Sequence, residues 1–101
     1  MNAMQQAVLA DQRSSRAVAV SIGLSNLSAQ LGPVLTGRVV CAQHADNEID
    51  CTPVPGDEVR RLLVQLFNLA LEARQLGIAE NPVRVDFGPE RSVSVILPPA
   101  P

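Results

Sequence analysis

The sequence has no tryptophan, no tyrosine and no lysine, and only two phenylalanines and one histidine. Few aromatic side chains means few platforms on which nucleic-acid bases could stack. The eight positive charges are all arginine and scattered, and the net charge is −2. The chain therefore lacks the basic patch that phosphate backbones demand, and a nucleic-acid partner is not expected. The absence of lysine is a coding bias, which points to a GC-rich bacterial or phage genome.

No apolar run approaches the roughly 20 residues that span a bilayer, and no charged, apolar and small-residue order marks a leader. The expected location is cytoplasmic, with no membrane partner. The six glycines are dispersed, so no glycine-rich loop leads into a helix to cradle phosphate. The acidic residues fall mainly in loops and on a solvated stripe, where paired acid–base carboxylates would not be buried together. The expectation is a protein without enzymatic activity, catalytic residues or cofactor.

What is present is apolar content. At 101 residues and 47% hydrophobic, the chain suits one small domain with a modest core. Residues 1–13 are helix-compatible but weakly periodic, and fraying is expected there. Ser14 or Ser15 could cap a stronger helix in which Val20, Leu24, Leu27 and Leu31 recur at steps of four, three and four, with Gly32-Pro33 as its stop. Val18, Val20, Ile22 and Leu24 also alternate, so residues 16–31 could instead begin as strand. The helical spacing continues further and is preferred.

Residues 38–52 are ambiguous: Arg38–Ala42 suits a helix extension or a short strand, and His44–Asp50 reads as an acidic loop. Pro53-Val54-Pro55-Gly56 then stiffens the entry to the strongest element, a helix over 57–77. Asp57 is the expected N-cap and Gly77 the expected residue past its C-terminus. Arg61, Gln65, Asn68, Glu72 and Gln75 form a polar stripe. Nearly everything else on that helix is apolar, a wider arc than one packing partner covers. Beyond Gly77 the period becomes two: Val83, Val85 and Phe87, a turn at Gly88–Arg91, then Val93, Val95 and Leu97, which predicts a β-hairpin over about 82–97. Pro98–Pro101 is a proline-rich tail.

The expected architecture is α+β: an N-terminal helical hairpin whose second helix is central and amphipathic, followed by a C-terminal β-hairpin laid on its Val64, Phe67 and Leu71 flank. A lone ribbon is marginal in water and leaves an open edge. With the over-wide helix, it motivates a homo-oligomer, most simply a dimer. The expected interaction surface is Val64, Phe67 and Leu71 with the amides of Gln65 and Asn68.

Cys41, His44 and Cys51 give the chain a weak metal candidate, because thiolates and imidazole suit zinc. No second pair completes it, and no metal is expected. A Cys41–Cys51 disulfide requires the segment to be a hairpin and an oxidising compartment. Two separate thiols, one in the core and one in a loop, is the favoured expectation. Neither cysteine nor any serine lies in a nucleophile signature with His44.

Gly56-Asp57-Glu58, the helix through Gln65, Asn68 and Ala70, and the paired segments Pro82–Phe87 and Ser92–Ile96 resemble the opening of the histidine-kinase ATP-binding domain. The resemblance spans about 40 residues. It departs from the family where Gln65 and Leu69 stand at its two asparagine positions, and where Leu97-Pro98-Pro99 replaces its Asp-x-Gly-x-Gly. What it implies is at most a truncated phosphorelay fragment without ATP binding, and no site is carried over.

The reading is a small non-enzymatic protein–protein interaction module: an adaptor, regulator or inhibitor that works with itself and another protein. The alternatives are a structural subunit of a phage or secretion assembly, and the kinase-like fragment.

Overall fold

A computed structural model describes residues 3–44 and 47–99, with side chains from residue 12 onward. The chain is α+β. Its elements are α1 (Ala3–Leu31), β1 (Arg38–Gln43), β2 (Ile49–Thr52), α2 (Asp57–Gln75), β3 (Val83–Gly88) and β4 (Arg91–Ile96). From residue 3 onward the segment expected to fray belongs to α1, and residues 1–2 lie outside the described residues, as do residues 100–101 of the proline-rich tail.

Helix α1 runs unbroken through Ser14 and Ser15, so neither serine caps it. Both are exposed, and there a hydroxyl costs a helix little. Val20, Leu27 and Leu31 are buried as their spacing predicts. The helix stops at Leu31, where the Gly32 and Leu35 amides bond the Ser28 and Leu31 carbonyls. The Arg91 guanidinium completes that end: it donates to the Gly32 carbonyl and, at 3.1 Å, to the Leu35 carbonyl. The two carbonyls are thereby tied to β4.

Helix α2 begins one residue earlier in its cap than expected. Gly56 is the N-cap, with no side-chain cap bond, and Asp57 is the first helical residue. Asp57 and Glu58 therefore act on the helix dipole as first-turn charges rather than as caps. At the other end, the Gly77 amide bonds the Arg74 carbonyl and the Ile78 amide bonds the Ala73 carbonyl, both at 3.0 Å. Gly77 has φ +76°, the left-handed conformation that this paired closure requires and that glycine adopts without penalty.

The segment between the helices is the main departure from expectation. Of the two readings for Arg38–Ala42 the strand holds, as β1, while Ile49 and Asp50, read as part of the acidic loop, belong to a second strand, β2, that pairs with it; residues 45–46 of that loop lie outside the described residues. The four strands make one sheet in the order β2-β1-β4-β3. β1 and β2 are antiparallel, as are β3 and β4, while β1 runs parallel to β4 from Arg38↔Ser92 to Ala42↔Ile96. The C-terminal hairpin is thus half of a sheet, and β4 is central rather than an open edge. Helix α2 carries the chain from one edge strand, β2, to the other, β3. At the start of β3, Pro82 has no N–H, and Asn81 bonds Leu97 through both ends of its side-chain amide.

One cluster of buried side chains joins the layers. Val39, Cys41, Cys51, Val93 and Val95 come from the sheet and Leu97 from just past β4, Leu62, Leu63, Leu66, Phe67 and Ala70 from α2, and Leu27 and Leu31 from α1. The wide apolar arc of α2 is accounted for here: α1 and the sheet cover it from two sides. That cover comes from the chain itself, so the arc no longer argues for a second copy.

Candidate interaction surfaces

Phe67 is fully buried in the core and offers nothing to a partner. Val64 and Leu71 are half-buried, and only Gln65 and Asn68 of the expected surface stand exposed. The helix flank predicted to receive other chains is used internally, because the sheet is twice as wide as the sequence suggested. Of the polar stripe, Glu72 is also engaged within the chain, where it pairs with Arg16 of α1. Arg13 of α1 donates to the Leu76 carbonyl at 3.0 Å, at the last turn of α2. Leu69 sits against Gly23 of α1, where an added Cβ would lie 2.9 Å from its Cδ1. A side chain at position 23 would therefore displace the end of the Leu69 side chain.

Cys41 and Cys51 lie directly opposite each other in β1 and β2, with Cα atoms 4.1 Å apart, and their sulfurs are bonded. The expectation of two separate thiols is corrected: residues 38–52 are a hairpin, and both positions face the core. The weak metal candidate goes with it, since a disulfide presents no thiolate to a metal. His44 is drawn to Asp50 instead, with Nε2 2.7 Å from Oδ2 on the exposed end of the hairpin. Among the described residues, no group of three or more His, Cys, Asp or Glu side chains is placed to hold a metal ion.

A depression of about 220 Å³ lies between the start of β1 and the entry to α2. Val34, Leu35, Val39, Pro53, Val54 and Val59 line it, and no charged side chain does. Thr36 contributes a hydroxyl to the lining, and Gly56, the N-cap of α2, also borders it.

Among the described residues, Val54 in the loop before α2 and Ile78 after it are exposed singly, and two surfaces expose a pair of large apolar side chains. On the outer side of the sheet, Val40 and Ile96 are exposed, but charges surround them. Arg84 and Asp86 pair there at 3.0 Å, and Arg38 and Asp50 are exposed nearby. A solvated sheet face of mixed character is ordinary.

The outward side of α1 is different. Val18 is 59% exposed and Ile22 56%, one turn apart on a face whose neighbours Ser21, Ser25, Asn26 and Ala29 are uncharged. No charged residue occurs from Ala17 to Gly37. Exposed helix faces normally carry charge. The sequence conceals this one, because Val18 and Ile22 also fit an alternation with Val20 and Leu24. In the helix those four residues belong to two opposite sides.

No protein family, curated protein or solved structure matches the chain. No helix among the described residues is long and apolar enough to cross a membrane.

Proposed function

We propose that this chain is a non-enzymatic protein–protein interaction module, an adaptor, regulator or inhibitor, that works as a homo-oligomer. The observation that carries the reading is the outward side of α1, an exposed helix face with branched apolar side chains and no charge from Ala17 onward. Such a face is stabilised when another protein surface removes it from water. The α+β body behind it is a scaffold: a helical pair on one side of the sheet, with the β3–β4 hairpin packed under α2. Gln65 and Asn68 remain available on α2 for a second partner.

The Cys41–Cys51 bond weighs toward an oxidising compartment and against the cytoplasmic expectation. The kinase-like alternative is weakened at Leu69, which packs on α1 instead of presenting a polar group. The structural-subunit alternative draws support from the outer edges of β2 and β3, since sheet edges template further strands.

Light scattering on the eluting protein at micromolar concentration tests the reading. A discrete dimer is expected. An open series of larger species would favour the structural subunit, and a monomer throughout the concentration range would count against self-association.

A further inference from the structure

Resting on that reading of a self-associating module, we infer that the partner of α1 is α1 of a second copy, paired antiparallel about a two-fold axis between Gly23 and Leu24. Val18, Ile22, Ser25 and Ala29 recur at steps of four, three and four, the spacing of a coiled-coil seam. Val20, Leu24, Leu27 and Leu31 show the same steps, two residues on, and α2 already covers them. Two residues turn a helix by about 200°, so a second helix on the outer seam lies on the side of α1 away from α2.

The choice of occupant follows from charge and size. A seam without charge meets its own copy with no like-charge repulsion and no ion to strip of water. An anionic membrane would require basic residues flanking the apolar face. Arg16, the nearest, is turned to Glu72. Antiparallel pairing sets Val18 opposite Ala29 of the second copy and Ile22 opposite Ser25 of the second copy. Each branched side chain then meets a small one, and all four layers fill to similar volume. Parallel pairing would stack Ile22 on itself and Ser25 on itself, alternately crowding and emptying the seam.

Two single variants, Val18→Cys and Ala29→Cys, test the geometry. Both positions are exposed, and the native disulfide stays closed in the core. Each pool is treated with a mild oxidant alone and after mixing, and covalent dimer is quantified. Positions 18 and 29 are eleven residues apart, about 16 Å along a helix. In the antiparallel pair, like positions therefore cannot bond, whereas 18 and 29 can. The expected result is covalent dimer in the mixture, at least tenfold above either pool alone. Efficient linking within each separate pool would show a parallel pair and overturn the inference. No linking in any pool, while light scattering still reports a dimer, would also overturn it and leave self-association through another surface. No dimer by either method would sink both.

Discussion

Val18 and Val20 stand two residues apart on α1, yet Val18 is 59% exposed and Val20 only 3%. The same side chain thus serves two surfaces of one helix. The inner one is sealed by α2 within the chain, and the outer one is left to be sealed by something else.

The two sides should separate cleanly in a stability assay. Leu27→Ala removes a buried side chain from the inner seam and should cost about 2–5 kcal/mol in denaturant unfolding. Val18→Ala, measured at a concentration where the protein is monomeric, should stay within about 0.5 kcal/mol of the parent. Equal costs at the two positions would mean that α1 does not pack as described.

The same contrast applies to α2. Leu66 is fully buried in the core, and Leu66→Ala should cost about 2–5 kcal/mol. The neighbouring Gln65→Ala should be nearly neutral for folding, because its side chain is exposed. If Gln65→Ala loses binding of another protein with melting unchanged, the amide stripe is a functional surface.

The bond between Cys41 and Cys51 closes a short loop, the sequence separation being 10. Replacing both residues by serine should lower stability by about 2–4 kcal/mol, through loss of the cross-link and burial of two hydroxyls. Thiol labelling of the denatured, unreduced protein should find no free thiol. Two labelled thiols in protein from its native compartment would restore the picture of separate cysteines.

Asn81 replaces a strand residue at the edge of β3. Its Nδ2 donates to the Leu97 carbonyl at 2.9 Å and its Oδ1 accepts from the Leu97 amide at 2.8 Å. Asn81→Ala should cost about 1–3 kcal/mol by leaving a partly buried carbonyl and amide unpaired. Hydrogen exchange at the Leu97 amide should accelerate in step with that loss, and an unchanged rate would show that the bridge contributes nothing.

Legibility in the sequence followed the range of the contacts. Helix α2, its Gly77 closure, the inner seam of α1 and the β3–β4 hairpin all rest on spacing within a short window, and each is readable there. β1 is readable there only as one of two alternatives for Arg38–Ala42, because its parallel partner, β4, lies near the other end of the chain and leaves no local mark. Val39 and Cys41 do alternate inward, but the short Ile49–Thr52 strand buries only Cys51 fully, with Ile49 half-buried against the core. The Cys41–Cys51 disulfide is legible only as the less favoured alternative for the same reason, since it depends on the hairpin. The outer face of α1 was obscured differently: two helical seams offset by two residues imitate the alternation of a strand.

Native mass spectrometry of the untagged, unreduced protein, beside an Ile22→Glu variant, tests self-association through α1 most directly. Ile22 is exposed, so the variant should keep the parent's fold. The expected spectrum is a metal-free dimer with its disulfides intact for the parent, and a monomer for the variant. A parent that is monomeric, or a variant that dimerises as well as the parent, would contradict it.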